Sequence, residues 1–175
     1  MRVRSISHIG TAGQAALVAW GGVLLALASQ HFAGLEPCPW CIVQRAAYLA
    51  AGLFALIAAL LQRPLPLHRL FIGLAALSAL GGLAAALHQH FVAAQTSSCA
   101  FTAADRWLSW SGLADWLPSV FAATASCDEA NAPMLGLPYS VWSMLLALLL
   151  LVLLWRAFRR PPEVAAGVGR RNRPA

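Results

Sequence analysis

The chain has 175 residues, 60% of them hydrophobic and only 10% charged, and its formal net charge of +6 comes from 12 arginines and no lysine against six acids. Soluble domains carry about 25% charged residues, so this composition excludes an ordinary water-soluble fold and points to lipid. The length suits a single domain, and no internal repeat divides it.

Four apolar runs follow one another, each near the length of about 20 residues that a helix needs to cross a bilayer. The first covers about 11–29, after Arg2 and Arg4, and is diluted by Gln14 and by glycines. With those arginines, Ala26-Leu27-Ala28 also resembles a signal-peptide cleavage site. The run is long for a signal peptide, and cleavage would strand Cys38 near a free terminus, so it is read as a span. A short outer loop, about 30–41, leads to the second run, about 42–61. The turn 62–69 holds Pro64 and Pro66 and is tight, which makes the second and third helices antiparallel neighbours. The third run covers about 70–87.

The second outer loop, about 88–138, is too small for a core of its own. Within it Trp107, Trp110, Leu113, Leu117 and Phe121 recur at roughly helical spacing, with Trp116 beside them. Two readings fit: a short amphipathic helix over 103–117 lying on the outer surface, or loop packing against the bundle. Both hold the loop close to the membrane. The fourth run, about 135–155, is the most apolar, and the tail 161–175 has the Pro, Gly and Arg content of a disordered segment. Small residues within the runs permit close helix approach. The expected fold is an all-α membrane protein, a bundle of four transmembrane helices spanning 1–160 with a short amphipathic helix in the second periplasmic loop.

Arginine placement orients the bundle. Arg2 and Arg4, Arg63 and Arg69, and the group from Arg156 to Arg173 fall on one side of an even number of spans, and the positive-inside rule makes that side cytoplasmic. Glu36, Asp105, Asp115, Asp128 and Glu129 fall in the opposite loops. The basic charge is thus a topology signal and not a nucleic-acid patch.

All four cysteines, Cys38, Cys41, Cys99 and Cys127, lie in or at the edges of the two outer loops, the side on which disulfides persist. An even count suggests two pairs. Cys38-Pro39-Trp40-Cys41 forms one unit, which leaves Cys99 with Cys127. So small a ring adds little to stability, and such units are usually redox-active or metal-binding. Cys41 should sit in the first turn of the second helix, where the helix dipole favours a thiolate, with Arg45 one turn along the same face. Arg45 stands on the outer half against the charge trend. It is either an arginine reaching for the headgroups or a functional cation, the default reading of a charge within a span.

The stretch from Glu36 through Cys38-Pro39-Trp40-Cys41 to Gln44-Arg45 resembles the signature of the bacterial disulfide bond formation protein B (DsbB) family, close to Pro-Cys-x-x-Cys-x-x-x-Arg. The four runs, the loop cysteines and residues 135–142 match as well, and only the tails fall outside. The related vitamin K epoxide reductases place their Cys-x-x-Cys at the end of a different helix. The resemblance implies an inner-membrane thiol-disulfide oxidoreductase with both termini cytoplasmic and its cysteines periplasmic. It would reoxidise a periplasmic thioredoxin-like partner of the DsbA type and pass the electrons to a membrane quinone, ubiquinone or menaquinone. By the same resemblance Cys41 engages the quinone and Cys38 is its partner. Cys99 exchanges with the soluble protein, Cys127 closes the second disulfide, and Arg45 supports quinone binding. The family's histidine near the outer end of the third helix corresponds to His88 or His90. His88 is favoured because the run 82–87 leads into it in continuous register. Trp40 is bulkier than the aliphatic residue often found between the cysteines.

Two rivals belong to other classes. Four cysteines with His88 and His90 suggest zinc, but structural zinc sites usually show two close ligand pairs, and Cys99 and Cys127 are far apart in sequence. A membrane protein merely stapled by two disulfides is the other, and it would keep its activity after loss of Cys41 or Arg45. His8, His31 and His68 show no partner pattern.

Overall fold

A computed structural model describes residues 10–61, 65–95 and 102–159. Four helices in it have the length and apolar composition to cross a membrane: α1 (Thr11–Ala33), α2 (Pro39–Leu60), α3 (Leu65–Phe91) and, last in the chain, α7 (Tyr139–Arg159). Between α3 and α7 come a 3₁₀ turn (Ala93–Gln95) and the short helices α4 (Ala103–Ser111), α5 (Leu113–Trp116) and α6 (Pro118–Phe121). A second 3₁₀ turn (Glu129–Asn131) and the strands β1 (Pro133–Met134) and β2 (Leu137–Pro138) follow. The expected all-α four-span membrane fold is what the chain adopts.

The long helices close a ring. α2 packs on α1 and α3, and α7 packs on α1 and α3. The core between them is largely alanine: Ala15, Ala16 and Ala19 on α1, Ala51, Ala55 and Ala58 on α2, Ala75 and Ala79 on α3, and Ala147 on α7, filled out by Ile72, Leu150 and Leu154. Lipid is as apolar as leucine, so helices in a membrane associate by close packing of small side chains. Leu24, Leu25, Leu77, Leu148 and Val152 are accordingly exposed on the outside. Glycines set the tightest crossings. A methyl group at Gly52 would collide with the Trp20 indole, and one at Gly82 would come within 2.6 Å of the Tyr48 ring.

Several boundaries depart from the hydropathy pattern. α1 continues through Gln30 to Ala33 and ends at Gly34, whose φ of 65° reverses the chain. α3 runs on to Phe91, so His88 and His90 lie in its last turn and not in a loop. α7 starts only at Tyr139. The apolar residues before it form a hairpin in which Met134 pairs with Leu137 across a turn with φ of 55° at Leu135 and 83° at Gly136. A left-handed turn cannot join a helix, however apolar its side chains.

The amphipathic segment of the second loop forms, but Gly112 (φ 63°) breaks it into α4 and α5. Thr102 and Asp105 make a capping box at the start of α4: the Asp105 carboxylate accepts from the Thr102 amide at 2.8 Å, and the Thr102 hydroxyl accepts from the Asp105 amide at 3.3 Å. The buried face of the segment, Leu108 with Trp107 and Leu113, joins Phe121 against Ile42, Val43 and Ala46 of α2. Trp110 and Trp116 point away, 85% and 78% exposed. The segment therefore packs on the bundle through one face and presents tryptophans outward on the other. At the far end of the bundle, Arg69 stacks over Phe158 at 5.5 Å and Arg159 over Trp155 at 4.4 Å.

Candidate active site

Everything that sequence singles out near Cys38 converges at the start of α2. Pro37 and Pro39 flank Cys38, which is extended (φ −87°, ψ 169°) and caps the helix, with Pro39 in the first turn. Proline suits that position because its missing N–H has no helical partner there. The Cys38 sulfur takes the capping role usually played by oxygen, accepting from the Cys41 amide at 3.4 Å. That geometry turns the two side chains toward each other. Their sulfurs stand 3.0 Å apart as unbonded thiols, both buried.

A third cysteine reaches the same point. The amides of Thr124 and Ala125 both donate to the Pro37 carbonyl, at 3.0 and 3.3 Å, clamping the second loop to the first. Cys127, two residues further on and half-buried, comes beside the Cys38 thiol and the Trp40 backbone N–H, and both act on its charge. The hydrogen bond with Cys38 holds the Cys127 thiol below the usual thiol range, aided by the Trp40 amide and opposed by burial. Cys38 goes the other way: its bonds to Cys127 and Cys41, together with burial, push it far up. Negative charge in this cluster thus avoids the central sulfur. Cys99 lies outside the described residues.

Arg45 is buried, only 5% exposed. Its Nη1 donates to Gln30 Oε1 on α1 at 2.8 Å and to the Val120 carbonyl on α6 at 2.9 Å. It joins α1, α2 and the loop that delivers Cys127. Two residues not foreseen in the sequence complete the dithiol's surroundings. Gln89, from the last turns of α3 and 1% exposed, donates through Nε2 to the Cys41 sulfur at 3.2 Å. Gln44 Nε2 donates in turn to Gln89 Oε1 at 2.6 Å. The available signal was two uncharged polar residues in predominantly apolar helices, one of them three positions from Cys41.

A cavity of about 340 Å³ opens beside the dithiol. Cys41, Gln44, Arg45 and Tyr48 of α2 form one wall, Gly22, Val23, Leu25 and Ala26 of α1 the second, and Tyr139, Trp142, Ser143, Leu146 and Leu149 of α7 the third, with Glu36 and Pro37 near the dithiol. Exposed Leu25, Leu145 and Leu149 line its outer part. The Tyr48 hydroxyl donates to the Ser143 carbonyl at 2.9 Å and pins α2 to α7 there. Neither candidate histidine lines this cavity. His88 is exposed and stacks on Trp40, ring centroids 4.3 Å apart. His90 bonds Ser140 Oγ at 2.8 Å through Nδ1. Among the described residues no three His, Cys, Asp or Glu side chains converge as a metal site.

The fold and site define a multi-span helical membrane protein with a buried dithiol at a helix start and a third cysteine brought to it by a loop. The family model described as "Disulfide bond formation protein DsbB" matches residues 10–157. Proteins named disulfide bond formation protein B are similar over most of their length. That of Ralstonia nicotianae is 37% identical over 150 residues (83% of this chain, 92% of the relative), and that of Cupriavidus necator 36% over 131 (74% and 80%). The Stutzerimonas stutzeri protein is 33% identical over 162 residues (90% and 96%). The chain belongs to the DsbB family.

Proposed function

We propose that this protein is a quinone-dependent protein-disulfide oxidoreductase that reoxidises a thioredoxin-like periplasmic partner of the DsbA type. The observation that carries the reading is the position of Cys38, 3.0 Å from Cys41 on one side and with Cys127 brought beside it on the other by the clamp on the Pro37 carbonyl, while Cys41 lines an apolar cavity beside Arg45. Sulfur contacts in series are what thiol–disulfide exchange requires, because each step is attack of a thiolate on a neighbouring disulfide.

In the proposed relay the reduced partner opens the Cys99–Cys127 disulfide and leaves oxidised. The Cys127 thiolate attacks Cys38 of the Cys38–Cys41 disulfide; the Cys38–Cys127 bond forms, and Cys41 departs as a thiolate with the electron pair. The Cys99 thiolate then attacks Cys127 in the Cys38–Cys127 bond; the Cys99–Cys127 bond forms, Cys38 departs as a thiolate, and a reduced Cys38–Cys41 pair is left with Cys41 lining the cavity. The cavity suits a quinone: its walls are apolar, its outer part is lined by exposed leucines, and it holds one buried cation able to donate to a carbonyl. A quinone bound there would accept two electrons and two protons and leave as quinol. Arg45 and the indole of Trp142 would hold its head. His88, stacked on Trp40, acts in this reading by bracing the segment between the two cysteines. The cysteine face is periplasmic and the Arg69–Arg159 end cytoplasmic, as the positive-inside rule requires.

The test is quinone reduction by the purified protein in detergent, driven by a reduced thioredoxin-like partner. Wild type should turn over, and Cys41→Ser and Cys99→Ser should not. Turnover undiminished without Cys41 would sink the relay. No turnover in wild type with several partners and quinones would favour a membrane protein stabilised by disulfides.

A further inference from the structure

The chemistry proposed above leaves a negative charge on Cys41, a sulfur buried within a helix of low polarity. An unpaired buried charge is costly, so something must donate to it. Arg45 stands one turn away, but its Nη1 is engaged by Gln30 and Val120. The side chain that donates to the sulfur is Gln89, through Nε2 at 3.2 Å.

An amide can face a sulfur with either end. Facing it with oxygen suits a thiol, whose S–H can donate; only the nitrogen end suits a thiolate, which solely accepts. In the structure Gln44 Nε2 donates to Gln89 Oε1 at 2.6 Å, the arrangement in which the Gln89 nitrogen faces Cys41. Both amides are withdrawn from solvent, with Gln89 1% and Gln44 5% exposed, so water does not compete for these bonds.

We infer that Gln89 is a catalytic residue of the relay, the donor that stabilises the Cys41 thiolate when the Cys38–Cys41 disulfide is opened, and that Gln44 is the positioning residue that aims it. The inference rests on the relay reading. In the step concerned, the Cys127 thiolate forms a bond to Cys38 while the Cys38–Cys41 bond breaks. The electron pair passes to Cys41, where the Gln89 N–H meets it, and no proton moves. Gln89 does not line the cavity, so its effect falls on the sulfur and not on the affinity for a quinone.

A full-length variant retaining only Cys41 (Cys38→Ser, Cys99→Ser, Cys127→Ser) reports on the sulfur directly, in detergent, through the ultraviolet absorbance of the thiolate and the rate of alkylation by iodoacetamide at neutral pH. Adding Gln89→Leu or Gln89→Met should remove most of the absorbance and slow alkylation about tenfold to a hundredfold, the range for a hydrogen bond to a charged group. Adding Gln44→Leu should slow it about threefold to tenfold, the loss of a neutral bond. With all four cysteines present, Gln89→Met should lower kcat for quinone reduction by a similar factor and leave the quinone KM unchanged. Unaltered thiolate absorbance in a Gln89→Met protein that melts like its parent overturns the assignment of Gln89. If wild type itself fails to reduce quinone, the relay reading falls, while the absorbance still decides whether Gln89 holds a thiolate. Methionine keeps the length of the side chain, so it separates a lost donor from a lost fold should leucine not be tolerated.

Discussion

At Arg45 one guanidinium meets two oxygens on two different elements, Gln30 Oε1 and the Val120 carbonyl. Its removal would leave both without that donor, and an unsatisfied buried polar group costs about 1–3 kcal/mol. Arg45→Ala should therefore act twice. The quinone KM should rise about tenfold or more, and the protein should melt at lower temperature in detergent; a KM equal to that of wild type would remove Arg45 from the proposed site. The cysteines differ in the same local way. Cys127 titrates below an ordinary thiol because Cys38 and the Trp40 amide favour its charged form, and Cys38 titrates far above. The sign follows directly: at neutral pH the thiolate fraction of Cys127 exceeds that of a free cysteine, and that of Cys38 is negligible. In the reduced protein, alkylation followed by peptide mapping should find Cys127 modified well before Cys38, with the advantage shrinking as pH rises past the ordinary thiol range. Equal rates at neutral pH would contradict this electrostatic order.

At the scale of the element, the start of α2 shows why Pro-Cys-Pro-Trp-Cys works as a unit. Proline opens the helix, the Cys38 sulfur caps it, and the cap bond turns Cys38 toward Cys41. Serine is also a good cap, so Cys38→Ser should abolish the proposed exchange at little cost in stability, whereas Cys38→Ala should lose about 1 kcal/mol as well. Thermal unfolding of the two variants side by side tests the difference. The crossing of α1 with α2 depends on Gly52, against which the Trp20 indole lies. Gly52→Val forces that ring to move, and overpacking of this kind costs about 1–3 kcal/mol, readable as a lowered Tm. The broken amphipathic segment was only half legible. Its spacing showed an apolar face, but the same stripe of Trp and Leu serves for lying on lipid and for packing on a helix. Leu108 and Phe121 against Ile42 show which residues pack, and exposed Trp110 and Trp116 show which remain free for the interface.

For the whole molecule, the arrangement of arginines predicts an orientation that labelling can test. In intact spheroplasts a membrane-impermeant maleimide should label Trp110→Cys, and should label Phe158→Cys only after permeabilisation, both in a background without the native cysteines. The reverse pattern would invert the proposed topology. The four spans, the helix start at the dithiol and the likeness to the DsbB family were all legible in the chain, because each is a local property: twenty apolar residues suffice to require a helix in lipid, and a proline and a cysteine in a first helix turn stand one turn from an arginine four residues after the cysteine whatever surrounds them. What the sequence alone could not supply was which polar group faces which. Gln89 stands 48 positions from Cys41 and Val120 stands 75 from Arg45, and no periodicity links such pairs. Nor could it separate His88, stacked on Trp40, from the cavity wall, or bring Cys127 to Cys38 through a clamp on the Pro37 carbonyl. These choices were made by the packing of α3 and the second loop against α2, since a hydrogen bond across a bundle depends on helix rotation and register, which only the complete set of contacts determines.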